Sequence, residues 1–189
     1  MRPEQKKQAL IEHAFLLRVG IAVTLILLAA VLRIVPHPWN LTPIGAMALF
    51  SGSMFRKPWI AFLLPLASLF AGDVFAGFHK LMIVVYASFA VSVAIGRWLG
   101  ENRTVIRVGG AVFAGALQFF AVTNFAVWAI GAFYPKTAAG LAACFAAGVP
   151  YFWNTLAGDA LYAAVFFGGF ALAQRILGLL PEHGEEAQT

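Results

Sequence analysis

Residues 104–131 read TVIRVGGAVFAGALQFFAVTNFAVWAIG. This run of 28 residues carries one charge, Arg107. A helix that crosses a bilayer needs about 20 consecutive apolar residues, so the stretch predicts a transmembrane helix. Similar runs surround it, and they set the fold class as an all-α polytopic membrane protein.

Upstream, apolar runs cover about 14–35, 43–55, 58–76 and 81–99; downstream, one covers about 150–178. The first is too long for a signal-peptide core and leads into further spans. Arg18 and Arg33 lie near its ends, where long side chains reach the interface. Three prolines in Pro36-His37-Pro38-Trp39-Asn40-Leu41-Thr42-Pro43 mark a loop. Thr42 before Pro43 predicts an N-cap and a first-turn proline. Pro65 predicts a bend in the third run. Residues 138–148 are too short to span and predict a short helix at the surface or folded back into the membrane.

Composition agrees. The chain is 61% hydrophobic and 11% charged, with mean hydropathy +0.83. Soluble domains carry about 25% charged residues. The net charge of +5 follows membrane topology better than nucleic-acid binding, because basic residues collect in cytoplasmic loops. That rule also tests the short run at 43–55. If it crosses, Arg2, Lys6, Lys7, Arg18, Arg56, Lys57, Arg97, Arg103, Arg107 and Arg175 share one side, against Arg33, Lys80 and Lys136. The split is then 10 to 3; if it does not cross, it becomes 6 to 7. The expectation is a six-helix membrane domain over 14–178. Both termini are expected to be cytoplasmic: a polar segment at 1–13 and a disordered acidic tail at 179–189.

The polar residues within this apolar frame are few. The only two aspartates, Asp73 and Asp159, lie in or at the end of apolar runs, whereas all six glutamates lie elsewhere. An intramembrane acid costs at least about 2.5 kcal/mol on insertion scales. With six spans, Asn40, Asp73, Asn124, Asn154 and Asp159 all fall in the outer half. Trp39, Tyr86, Trp128 and Tyr134 fall there too. A few polar groups with aromatic walls suit a small polar or amphiphilic solute. A structural reading stands beside this one. Asp159 pairs with Arg33 in it, the asparagines join helices, and the aromatics form an interfacial belt. His79 reads as a loop histidine, and Cys144, among alanines, as a small buried filler.

No GxxxxGK[ST], HExxH or GxSxG occurs, so no P-loop, zincin or nucleophile-elbow chemistry is indicated. No cofactor or metal is expected. The remaining classes are solute uptake, an intramembrane enzyme using Asp73 or Asp159 on a lipid or quinone, and an assembly subunit.

Several motifs carry a resemblance. They are residues 36–50, Gly72-Asp73, Thr123-Asn124-Phe125-Ala126-Val127-Trp128, residues 134–141 and Asn154-Thr155-Leu156-Ala157-Gly158-Asp159. Over about 15–175 the chain resembles a bacterial inner-membrane family known only by inference as transport proteins. In size and layout it is similar to the substrate-binding S-components of energy-coupling factor (ECF) vitamin transporters. The resemblance implies vitamin uptake, a site near the outer face, outer loops as a gate, and a separate coupling protein with ATPases. The nearest analogue is the solitary cobalamin S-component, which ligates cobalt through a cysteine. No cysteine lies near the outer end of the third helix here, which puts cobalamin in doubt.

Overall fold

A computed structural model of the chain describes residue 5 and residues 16–17, 19–27 and 40–177. The expectations for the termini, for Arg33 and for the loop up to Trp39 lie outside these residues. The described residues contain helices and no strand. Helix α1 is described over 19–27. It is followed by α2 (Ile44–Met54), α3 (Pro58–Ala76), α4 (Met82–Leu99) and α5 (Val105–Ile130). Next come α6 (Ala138–Ala163), a π-helical turn (Ala164–Gly168) and α7 (Gly169–Ile176).

Among the described residues, four helical stretches are long and apolar enough to cross a membrane: Pro58–Phe75, Met82–Leu99, Val105–Ile130 and Ala138–Ile176. Their outward faces carry exposed Leu63, Phe70, Ile83, Trp98, Ile106 and Leu172, for which lipid is the natural solvent.

One expectation needs correcting. Residues 138–148 form no separate short helix; they are the first turns of α6, and Pro150 sits inside that helix. Thr137 starts it, its Oγ1 accepting from the Gly140 N–H at 3.1 Å. Proline inside an apolar helix is tolerated where packed neighbours satisfy the freed backbone. On either side of Pro150, α6 packs on α5: Phe120 meets Phe145 and Phe152 with ring centroids 5.4 and 5.3 Å apart.

Helix α2 is the centre of the bundle. Every residue from Ile44 to Ser53 is buried. A helix apolar on all sides belongs inside a protein, and α2 packs against α3, α4, α5 and α6. Its closest neighbour is α4, through a pair of glycines. A Cβ at Gly52 would sit 2.1 Å from the Val93 carbonyl oxygen, and one at Gly96 would sit 2.2 Å from that of Leu49. Phe50 fills the opposite side, its ring 5.5, 5.2 and 5.8 Å from Phe166, Phe167 and Phe170. The π turn presents the first two of these rings. Ala22 and Ile26 of α1 join the same core.

With 11 residues, α2 is about 16 Å long, roughly half of a 30 Å hydrocarbon core. Both its ends meet opposite charge. At the C-terminal end, Arg97 Nη1 donates to the Phe55 carbonyl at 3.2 Å and Arg103 Nη2 to that of Ser53 at 2.6 Å. The N-terminal end meets a carboxylate from α6.

Candidate functional site

That carboxylate is Asp159. Its Oδ1 accepts from the Ala46 N–H at 3.0 Å. Thr42 does not cap α2 as expected; the N-cap residue is Pro43, which offers no side-chain acceptor. Asp159, 113 residues away in sequence, supplies the acceptor instead. Two glycines make the fit. A Cβ on Gly45 would lie 2.2 Å from Asp159 Oδ1, so only glycine leaves the carboxylate its place. Gly158 lets the Leu41–Thr42 backbone close onto α6, where a Cβ would lie 3.2 Å from the Leu41 Cα. Asn40 turns the chain into this approach with φ +63°, a left-handed conformation that asparagine tolerates better than most residues.

The N-terminus of α2 and the Asp159 carboxylate form one wall of a cavity of about 210 Å³. Its polar lining comes from Asn40, Thr42, Asp73, His79, Thr155 and Asp159. Ile44, Gly45, Leu69, Val85, Phe89 and Phe119 complete it. Five helices and two loops therefore converge here. Asp73 and Asp159 are each only 4% exposed. Tyr86 donates its O–H to Asp73 Oδ2 at 2.8 Å, tying α4 to α3 beside the cavity. The Phe89 and Phe119 rings lie 5.0 Å apart.

The cavity stands away from the basic end of the bundle. Arg56, Arg97, Arg103 and Arg107 gather at that other end. There Arg56 lies 3.7 Å from Glu101, and Arg107 lies over the Trp98 ring at 5.4 Å. From Pro58 to Asp73 is about 22 Å of helix, and from Tyr86 to Leu99 about 20 Å. Among the described residues, no group of three or more His, Cys, Asp or Glu side chains could hold a metal ion.

A family model matches residues 13–181, nearly the whole chain and every element of the cavity; its description is "Family of unknown function (DUF6580)". The chain belongs to this family. No curated protein matches the chain, and neither does any solved structure.

In this member of DUF6580, the residues singled out from the sequence separate into two groups. Asn40, Asp73 and Asp159 line the cavity, and Tyr86 braces one of its acids. Asn124, Asn154, Trp128 and Tyr134 are not among the lining residues. Asn124 lies in the α5–α6 interface. Its Nδ2 donates to the Phe120 carbonyl at 2.8 Å, and its Oδ1 fills the space that Gly148 leaves. Trp128 lies in the last turn of α5 and braces the loop that follows, its Nε1 donating to the Pro135 carbonyl at 2.9 Å. Lys136 lies over that ring and donates to the Trp128 and Gly131 carbonyls, a cation at a helix C-terminus. Trp39 falls outside the described residues.

Sequence reasoning set His79 aside as a loop residue, yet it lines the cavity from the α3–α4 connection. Thr42, Thr155, Phe89 and Phe119 join it there. Thr155 was detectable, four residues before Asp159 and so on the same helix face. The two phenylalanines carried no signal among so many apolar residues.

Proposed function

We propose that this protein is a membrane-embedded solute-binding and uptake protein of S-component type, with its site in the outer half of the bilayer. One observation carries the reading. An open-sided cavity, holding two buried carboxylates, lies among five helices about 20 Å from a basic end. A purely structural acid has no need of a cavity, and a concave site with a few convergent polar groups is the usual form of a small-molecule pocket.

The orientation follows from charge. Arg56, Lys57, Arg97, Arg103 and Arg107 face the cytoplasm, so the cavity opens to the other side of a bacterial inner membrane. In the six-pass layout, α2 is the short pass. It is enclosed by protein, its C-terminal end lies at the cytoplasmic face and its N-terminal end lies near the midplane. Residues 40–42 and 77–81 are the segments placed to gate entry. Without a phosphate-binding loop in this chain, transport is driven by a coupling protein with ATPases or runs down a gradient.

The cavity volume bears on the substrate. A corrinoid is many times larger than 210 Å³, so a smaller solute fits this conformation. A thermal-shift screen of the purified protein against vitamins, corrinoids and their precursors tests the reading, since a ligand that binds only the native state raises apparent stability. A stabilising solute whose effect is lost in Thr155→Val and Asn40→Ala supports uptake at this cavity. No stabilisation across small-molecule classes removes it.

A further inference from the structure

Resting on the solute-binding reading, we propose that the solute is a compact organic cation, an ammonium compound held by Asp159 against the Phe89 and Phe119 rings. Asp159 is 4% exposed and makes no ion pair with any described residue. Among the described residues, its one hydrogen bond comes from the Ala46 N–H. The N-terminus of a helix offers about half a positive charge. A carboxylate removed from water needs a full counter-charge or several hydrogen bonds. Among the described residues that compensation is incomplete, and the carboxylate lies on the cavity wall.

The rest of the lining points the same way. Asp73 is a second carboxylate on the wall, and no Lys or Arg stands among the described lining residues. An anionic solute would meet two acids. Phe89 and Phe119 present aromatic surface to the same space. An aromatic face attracts a cation, more strongly once water is excluded. Acid and aromatic surface on one small cavity is the chemistry that selects ammonium groups. Size narrows the class further. A cavity of about 210 Å³ suits a compact solute.

The test is direct binding by the full chain in lipid nanodiscs. The probes are ethanolamine, putrescine and choline, compared with choline's neutral carbon isostere and with small carboxylates. The expected result is binding of at least one ammonium probe. Choline is expected to bind roughly tenfold or more tightly than its isostere. Phe119→Leu should reduce that preference several-fold, and Asp159→Asn should abolish it. Because Asp159→Asn also touches the α2 cap, the wild-type comparison of cation with isostere decides alone if that variant does not fold. Binding of neutral or anionic solutes, with ammonium compounds excluded, overturns the cation inference and leaves the uptake reading standing. Failure of every class to bind overturns both.

Discussion

Asp159 of α6 accepts the Ala46 N–H of α2 at 3.0 Å, and its carboxylate occupies the space that a side chain on Gly45 would need. One acid thus completes the start of the central helix and forms part of the cavity wall. Capping α2 and shaping the cavity are coupled through it.

Replacing Asp159 should separate its two roles. Asp159→Asn keeps an oxygen for the Ala46 N–H and loses the charge. Asp159→Ala leaves that N–H unmet, at a cost of about 1–3 kcal/mol. Unfolding midpoints in detergent should therefore fall further for alanine than for asparagine.

Gly45→Ala puts a methyl group onto the Asp159 carboxylate, and Gly52→Ala puts one onto the Val93 carbonyl. The first collision is with a side chain and the second with backbone, so Gly52→Ala should destabilise more. Overpacking typically costs about 1–3 kcal/mol. A double-mutant cycle of Gly45→Ala with Asp159→Ala should be non-additive, since the second change removes the atoms the first one strikes. Additive losses would contradict the fit described here.

Tyr86→Phe removes the O–H that Asp73 accepts at 2.8 Å and keeps the ring. A stability loss of about 1–3 kcal/mol is expected, because the bond is to a charged group. Solute affinity should weaken as Asp73 loses a positioning contact, and isothermal titration would read it.

Thr137→Ala deletes the side-chain cap of α6. Caps of this kind are worth about 0.5–2 kcal/mol. Because Thr137 lies at the far end of the α5–α6 hairpin from Asp159, the melting temperature should drop while solute affinity stays unchanged.

Topology can be read with a membrane-impermeant thiol reagent on intact cells, in a Cys144→Ala background, since Cys144 is buried. His79→Cys, on the cavity side, should label from outside. Asn102→Cys, beside Arg103, should label only after the membrane is opened. The reverse pattern would invert the proposed orientation.

Hydropathy alone located α3, α4 and α5 to within a residue or two. An apolar run bounded by Arg56-Lys57, Lys80 or Arg103 has one favourable placement in a bilayer, and it is a local property of the chain. Asp73 and Asp159 also stood out locally, because a carboxylate in an apolar helix is costly wherever the helix packs. The start of α6 was misplaced because Pro150 looks like a helix start unless the packing against α5 is known.

Which polar residues meet was settled by tertiary structure. Asn124 and Asp159 look alike in sequence, each a polar group in an apolar helix. Asn124 turns into the notch at Gly148, whereas Asp159 reaches the open first turn of α2. The difference lies in how each helix is rotated about its axis and in which glycine permits a close approach. The sequence by itself determined that lipid surrounds this chain and that its two aspartates need partners. Only the packing of α2 against α6 and of α3 against α4 decided what those partners are, because hydrogen bonds and close contacts depend on where the helices come to lie.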